Sequence, residues 1–267
     1  MSTFLKLLED VRRGGQGFGF TARIAGASPA LAMLAVLPGL RPDLVEAASG
    51  AADAVGLEAS LAEARAGDSA LSRCVAAAGK KPCGLWLTST GGEELPSDDW
   101  LRKAGVDFVV VSPEHPATML TLDVAKLAQA RLDMDPMDVR ALDAVAVDGL
   151  IIPGVAEGPT GLSIAQAARY RLFAGLTGKP ILVTVSASQG RAELRPLMQV
   201  GVDGVVLTPA ALGEDKQGIG RALARLKDEI VALGPRRVAK ARGGASAPLL
   251  PLVSADAPDS GQEEEGE

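Results

Sequence analysis

Four short apolar runs along the chain share one design: each starts at an aspartate, continues through apolar residues and ends at a polar residue or a proline. They are Asp53–Glu58, Asp107–Ser112, Asp148–Pro153 and Asp203–Thr208. Hydrophobic and polar positions do not alternate within them, so neither face is marked as solvent-exposed. This is typical of strands in a parallel sheet that helices cover on both sides. The pattern predicts four buried parallel strands.

A second series of apolar runs lies between these strands. Its members are Pro29–Leu37, Pro82–Thr88, Leu127–Asp133 and Pro180–Ser186, and from the first residue of each to the next repeated aspartate the spacing is 24, 25, 21 and 23 residues. Segments with helical character separate the runs; Ser163 and Gln166, for example, form a capping box before a helix expected to reach about Leu176. Such alternation over about 250 residues predicts an α/β fold, a (β/α)8 TIM barrel. A doubly wound open sheet is the alternative.

Both chain ends lie outside the predicted barrel. Gly17–Ile24 also has the pattern of a strand, and Ala30–Leu37 is rich in helix-forming residues, but the regular spacing favours Ala30–Leu37 as the first strand. Residues 1–27 are then expected to form a helix and an extended segment that plug the N-terminal mouth of a barrel at residues 28–234. Residues 235–267 are basic and then acidic, with many Gly, Ala and Pro between, which predicts a disordered tail.

The net charge of −6 comes from the tail. Residues 254–267 hold six acidic residues and no Lys or Arg, so the other 27 acidic residues balance the 27 basic ones. A balanced body has no excess of cations to neutralise phosphates, so a nucleic-acid-binding protein is not expected. The longest apolar run, Ala30–Leu37, is far shorter than the roughly 20 residues of a membrane span, so no membrane association is expected.

The compartment follows from two further features. The first residues contain acids, unlike a secretory signal. The two cysteines fit neither a metal-binding spacing nor a disulfide framework, which suits a reducing environment. Together they predict a cytoplasmic protein.

Candidate functional residues are sought at the C-terminal ends of the strands, because TIM barrels place reactive groups there and use strand starts for stability. The four repeated aspartates are therefore expected to make turn and capping contacts. The polar residues at predicted strand ends are the candidates for binding or chemistry: Glu58, Thr88, Ser112, Asp133, Ser186 and Thr208.

The fifth predicted strand, Leu127–Asp133, carries charges. Gln129, Arg131 and Asp133 alternate with apolar residues, so they are expected to point into the barrel. A buried guanidinium needs an anionic partner. In one interpretation Arg131 holds an anionic substrate, and Asp133 or Glu58 acts as acid or base. In the other, these charges neutralise one another within the core.

Two further site hypotheses concern the same end of the barrel. His115, the only histidine, follows the fourth strand and could act as a general base oriented by Asp133, or it could be an exposed loop residue. Glu58, Asp133 and Asp135 could ligate a divalent ion such as Mg²⁺, which prefers oxygen ligands. One histidine and two unmatched cysteines make a zinc site unexpected.

The last quarter of the barrel resembles a known superfamily. The run Gly201–Leu207, with Lys179–Val183 before it, is similar to the phosphate- and flavin-binding (β/α)8 barrels, and the likeness in pattern extends over residues 28–233. The resemblance implies a phosphate or FMN held by glycine pairs after strands seven and eight. This chain has Ser186-Ala-Ser188 and Thr208-Pro209 there instead. The hydroxyl groups of Ser186, Ser188 and Thr208, with those of Thr88 and Ser112, are the expected contacts to an anion.

Three functions remain open at this point. The first is a barrel enzyme of lyase or isomerase type that performs acid–base chemistry on a small anionic, possibly phosphorylated metabolite. The second is a non-catalytic barrel that serves as a binding or assembly module, and the third is an FMN-dependent oxidoreductase. Each of the three functions involves binding of a small molecule. The sequence leaves open whether a metal ion is bound and whether the protein forms a homo-oligomer.

Overall fold

The computed structural model describes residues 2–14, 29–88, 96–154 and 162–236. Eight parallel strands pair in chain order and close into a barrel, as predicted. The strands are β1 (Ala32–Pro38), β2 (Ala54–Ala59), β3 (Cys83–Leu87), β4 (Phe108–Val111), β5 (Ala125–Gln129), β6 (Gly149–Ile152), β7 (Ile181–Thr184) and β8 (Gly204–Leu207). The extended part of the predicted plug, residues 15–28, and the tail from residue 237 lie outside the described residues, so their structure stays a prediction.

The helices are α1 (Thr3–Arg12), α2 (Pro42–Ser49), α3 (Leu61–Ala66), α4 (Asp68–Ala78), α5 (Asp98–Ala104), α6 (Pro136–Ala144), α7 (Ile164–Leu176), α8 (Arg191–Val200), α9 (Pro209–Leu212) and α10 (Lys216–Ala232). The capping box of Ser163 and Gln166 opens α7 as expected. The β4–β5 connection differs from the predicted pattern, because it holds only a short 3-10 helix, Ala117–Thr121. Pro113 and Pro116 precede that turn and disfavour a longer helix. Within the described ranges, no helix is long and apolar enough to cross a membrane.

The barrel lumen is filled by apolar side chains and closed by α1. Successive strand residues point to opposite faces, so the pairing register sorts them into lumen-facing and helix-facing sets. Three residues of α1, Phe4, Leu8 and Val11, are fully buried and pack in the same cluster as the lumen set. That set comprises Ala32, Leu34, Val36, Ala54, Phe108, Val110, Ala125, Leu127, Ile151, Leu182 and Val206. Helix α1 therefore plugs the barrel, where the sequence predicted it.

The fifth strand runs from Ala125 to Gln129, and its predicted placement at Leu127–Asp133 is wrong. The last ladder bond beyond it joins Ala130 N–H to the carbonyl of Ile151 at 2.8 Å. The strand starts early because Lys126 is tolerated at a buried, helix-facing position. Its ammonium group donates to the carbonyl oxygens of Leu122 and Val124 at 2.6 and 3.1 Å.

The repeated aspartates have a structural role at the start of the even strands. The Asp53 carboxylate accepts the N–H of Met33 at 3.0 Å, and the Asp53 N–H donates to the Met33 carbonyl at 2.9 Å. The same two-way contact joins Asp148 to Lys126 and Asp203 to Ile181. Each aspartate thus fastens an even strand to the odd strand before it, which explains the conspicuous sequence repeat.

Asp107 makes a different set of contacts. Its carboxylate accepts the Ser2 hydroxyl at 2.6 Å and the N–H groups of Thr3 and Phe4 at 2.8 and 3.0 Å. These N–H groups belong to the first turn of α1 and have no partner within the helix. Asp107 therefore anchors the plug helix, a task that the repeat alone did not predict.

Both cysteines lie in the buried layer between barrel and helices. Burial raises the pKa of Cys74 to about 11 and that of Cys83 to about 12. Since the thiolate is the reactive form, we expect iodoacetamide to leave both thiols unmodified in the native protein at mildly alkaline pH. Mass spectrometry should count no added groups before unfolding and two after unfolding in guanidinium chloride. Labelling of the native protein at the rate of a free thiol would contradict this.

Candidate functional site

Polar side chains line the lumen at its C-terminal end, above the apolar filling. Glu58 on β2 and Trp86 on β3 are paired in the strand register and share the lumen-facing phase of their strands. Gln129 ends β5 two residues after lumen-facing Leu127, and Thr208 follows β8 two residues after lumen-facing Val206. All four are half-buried. The mouth of the barrel therefore presents a carboxylate, an indole, an amide and a hydroxyl group around one axis.

The polar groups of three of these side chains form no hydrogen bond with the rest of the described structure. Among the described residues, the Glu58 carboxylate forms no hydrogen bond and no ion pair. The same holds for the Gln129 amide and the Trp86 indole N–H. Polar groups in folded proteins are usually bonded either to protein or to water. Because these side chains are half-buried at the rim of the lumen, they are accessible to a ligand that enters the mouth.

The predicted hydroxyl contacts at the rim are mostly engaged or open to solvent. Thr88 is exposed. The Ser112 hydroxyl donates to the Glu114 carboxylate, and this bond is the main reason that the pKa of Glu114 is lowered. The Thr184 hydroxyl, which lies at the end of β7 and was not among the predicted contacts, accepts the N–H of Gly154. The rim at β4 and β7 is thus held together by its own hydrogen bonds.

Arg131 and Asp133 do not point into the barrel, so that prediction is wrong. Their side chains are 74% and 68% exposed and form a two-bond ion pair, with Nε to Oδ1 at 3.0 Å and Nη2 to Oδ2 at 2.7 Å. The bond to Arg131 lowers the pKa of Asp133. Because β5 ends at Gln129, both residues lie on the loop beyond it. They neutralise each other, but at the surface of the mouth and not in the core.

His115 is neither an exposed loop residue nor bonded to Asp133. The residue is 9% exposed, and its Nδ1 accepts the Ser112 N–H at 2.8 Å. With Nδ1 as acceptor, the neutral ring carries its hydrogen on Nε2. That nitrogen is buried and has no hydrogen-bond partner within the described residues. His115 therefore stabilises the turn after β4, while its role as a general base stays a prediction.

The proposed magnesium ligands are separated by their own contacts. Asp133 is paired with Arg131, and Asp135 caps α6 by accepting the Met137 N–H at 2.8 Å. In the part of the chain that the structure describes, no three His, Cys, Asp or Glu residues are grouped closely enough to hold a metal ion. Glu58 alone keeps a carboxylate directed to the lumen, so these residues do not fit a resident divalent ion.

The loop after β7 does not fit the phosphate of a substrate or of FMN. The Ser186 and Ser188 hydroxyl groups lie 2.9 Å apart and bond to each other. At the start of α8, the Gly190 N–H donates to Glu193 at 3.0 Å and the Arg191 N–H donates to Glu229 at 2.9 Å. Carboxylates therefore occupy the amides that would receive an anion there.

Sequence reasoning singled out Glu58 but missed the role of Trp86. The signal was available, because Trp86 follows the two-residue periodicity of β3 and pairs with Glu58 in the register. Gln129 lies on the lumen side at the end of β5, as the alternation predicted for it, whereas Arg131 and Asp133 lie beyond the strand.

Comparison with known proteins supports the architecture. A mutant tryptophan synthase α-subunit from Pyrococcus furiosus is 11% identical, with a TM-score of 0.60 over 74% of this chain and 98% of that one. Thiamine phosphate pyrophosphorylase from the same organism is 15% identical, with a TM-score of 0.56 over 77% and 98%. Tryptophan synthase from M. tuberculosis in an aminoacrylate-bound form gives 14% identity and a TM-score of 0.57, over 86% and 100%.

The chain is a (β/α)8 barrel. At these identities the likeness shows the fold alone, and the resemblance seen in the sequence is confirmed at that level. No protein-family model and no curated protein sequence matches the chain.

Proposed function

We propose that this barrel is an enzyme of lyase or isomerase type that binds a small anionic metabolite at its C-terminal mouth and uses Glu58 as general acid and base. One observation carries the proposal: the Glu58 carboxylate faces the lumen, half-buried, without a partner among the described residues. A carboxylate that moves protons must reach the substrate and be free to change its protonation state. The lumen-facing, half-buried position of Glu58 supports this role.

The neighbouring side chains have complementary roles in this proposal. The Trp86 ring offers an apolar face on which a substrate packs beside Glu58, and its indole N–H donates a hydrogen bond. The Gln129 amide both donates and accepts, which fixes the orientation of a carbonyl or hydroxyl group. The Thr208 hydroxyl supports the same end of the lumen.

The anionic group of the substrate is assigned to the rim at Arg131. This guanidinium holds Asp133 in the same two-bond geometry that a substrate carboxylate or phosphate requires. A substrate anion would replace Asp133. The similar structures include an enzyme named for thiamine phosphate, which agrees with an anionic substrate, while the occupied amides of α8 argue against a phosphate at the start of that helix.

Replacing Glu58 with Gln tests the proposal. A panel of hydroxy acids, keto acids and their phosphate esters is screened by thermal shift, and compounds that bind are followed by NMR for turnover. We expect kcat to fall by about a thousandfold in Glu58→Gln, with KM changed only a few-fold, because the shape of the side chain is kept and its proton transfer is lost.

Glu214→Gln is the matched control, since Glu214 is an exposed carboxylate on the loop between α9 and α10. Its turnover should equal that of the wild type. Turnover that survives in Glu58→Gln would refute the assignment of the acid and base. A panel in which no compound binds would count against the substrate class.

A non-catalytic binding module is the second candidate, and the occupied α8 amides favour it. Glu193 and Glu229 occupy the amides at the start of α8, next to the β7 loop that many barrels use in binding an anion. In that case a ligand would stabilise the protein against heat, yet no product would form with wild type or variant. We further propose a cytoplasmic location; it rests on the sequence features given above.

A further inference from the structure

A cleft of about 600 Å³ opens at the N-terminal end of the barrel, opposite the candidate active site. It lies between the last turn of α1 and the segments that lead into β6 and β7. Its charged lining residues are Glu9, Arg12, Arg13, Asp148 and Lys179. The volume is within the range of small-molecule sites, roughly 300–1,000 Å³. No role in the proposed reaction involves this cleft.

Both acidic residues of the cleft have cationic partners. Glu9 pairs with Arg13 at 3.3 Å, one helical turn away on α1. The Asp148 carboxylate accepts the Lys126 N–H at 2.8 Å, and the Lys126 ammonium lies 3.9 Å from it. The negative charges that line the cleft are therefore largely compensated.

The remaining two cations bond only to neutral carbonyl oxygens. Arg12 donates to the Gly178 carbonyl, and the Lys179 ammonium donates to the carbonyls of Leu142 and Val145 at 2.7 and 2.6 Å. Among the described residues, neither cation has a carboxylate within ion-pair distance. Burial lowers the pKa of Lys179, while the carboxylates of Asp143 and Asp148 act more weakly in the opposite direction. Each side chain still has unused N–H donors.

The contact between Arg12 and Gly178 brings the two cations to the same wall. Gly178 and Lys179 are consecutive, so the guanidinium lies beside the residue that carries the ammonium group. One cation belongs to the plug helix and the other to the segment before β7. An anion that contacts both would join α1 to the barrel.

We propose that this cleft binds a small polyanion, a diphosphate or a comparable phosphate ester, through Arg12 and Lys179. The ligand would accept charge-assisted hydrogen bonds from two cations whose hydrogen-bond acceptors in the fold are neutral carbonyl groups. The ligand stabilises the folded protein, because the cations come together only when α1 is docked. The site is independent of the C-terminal mouth.

Calorimetric titration of the full chain with inorganic pyrophosphate at low salt tests the proposal. We expect saturable binding of one pyrophosphate per chain. Arg12→Gln should weaken it by about tenfold or more, because a charge-assisted contact is lost. Glu9→Gln should tighten it, because the variant releases Arg13 from its carboxylate. Titration with ADP in parallel tells whether the cleft accepts an organic diphosphate or the inorganic ion alone.

Arg73→Gln is the matched control. Arg73 is an exposed arginine that also donates to a backbone carbonyl, that of Ser69 at 3.3 Å, but it lies outside the cleft. Its affinity for pyrophosphate should equal that of the wild type. Thermal melting of each variant without ligand verifies folding. Lys179→Gln removes the second cation of the site and should also weaken pyrophosphate binding.

Glu58→Gln separates this site from the proposed active site, since it should leave pyrophosphate binding unchanged. Absence of binding at millimolar pyrophosphate would overturn the proposal, as would equal affinity in Arg12→Gln and the wild type. Loss of binding in Glu58→Gln would move the anion to the C-terminal mouth and refute the assignment to the cleft.

Discussion

Phe108→Ala is expected to lower the free energy of unfolding by about 4 kcal/mol. The Phe108 side chain is fully buried in the lumen, and its ring centroid lies 4.9 Å from that of Phe4 on the plug helix. Truncation removes the contact between barrel and plug and leaves a cavity that rigid strands cannot close. Chemical denaturation followed by circular dichroism measures the loss. Loss of the contact to Phe4 should also loosen α1, which hydrogen exchange would detect as faster exchange of the backbone amides of that helix.

Gly84→Ala probes the same position from the neighbouring strand. An added Cβ would lie 2.4 Å from the Phe108 ring and 2.5 Å from the Phe108 carbonyl oxygen. We expect this variant to cost about 2 kcal/mol through overpacking. In Gly84→Ala with Phe108→Ala, the ring clash is relieved and the backbone clash persists, so the combined loss should fall short of the sum by about 1 kcal/mol.

Phe173→Ala provides the control for this double-mutant cycle. Phe173 is also fully buried, but it lies on α7, in the layer between barrel and helices. Its cost should add to that of Gly84→Ala. Coupling of equal size in both cycles would mean that Gly84 acts through the whole fold and not through the Phe108 ring.

The closed barrel is predictable from the sequence because its signal is repeated. Four aspartates mark the even strands, each 21 to 25 residues after the start of the preceding apolar run, and the side chains of Asp53, Asp148 and Asp203 bond to the strand before. An error in one repeat therefore does not change the count of strands. The closure into a ring follows from the number of βα units, since eight such units favour a barrel over an open sheet.

The limits of β5 were not predictable from polarity alone. Lys126 looks like a residue before the strand, whereas its aliphatic stem is buried and its ammonium reaches carbonyl groups at the strand start. The alternation from Leu127 to Asp133 continues beyond the last ladder bond, so the sequence gives no mark at Gln129. Because β5 ends four residues earlier than predicted, Arg131 and Asp133 lie at the surface and not in the lumen.

Glu58 could be identified, because it lies one residue before the end of a strand whose start is marked by Asp53. Whether the other candidate groups are free to bind a ligand depends on hydrogen bonds that a local sequence pattern does not show. Glu229 reaches the start of α8 from another helix, and His115 bonds to a backbone N–H within its own turn. Such partners decide whether a polar group is available, and they appear only in three dimensions.

Asp203→Ala is expected to cost about 3 kcal/mol, more than any other substitution among the repeated aspartates. The Asp203 side chain is 3% exposed, accepts the Ile181 N–H at 3.0 Å and pairs with Arg236 at 2.8 Å. Removal leaves a buried N–H unsatisfied and a largely buried guanidinium without its anion. Asp148→Ala is the matched control, because its side chain occupies the same repeat position but is 40% exposed, and about 1 kcal/mol is expected.

Asp203→Asn tests the balance of forces on this carboxylate through pH. Burial raises the pKa of Asp203, against the lowering effects of the Ile181 N–H and Arg236. An acid with a raised pKa binds more protons in the folded than in the unfolded state, so its contribution to stability is present at low pH and declines as the pH rises through the folded pKa. The stability of the wild type relative to Asp203→Asn should therefore fall between the normal aspartate pKa and neutrality. A rise over that range, measured by denaturation at each pH, would mean that the Arg236 ion pair outweighs burial.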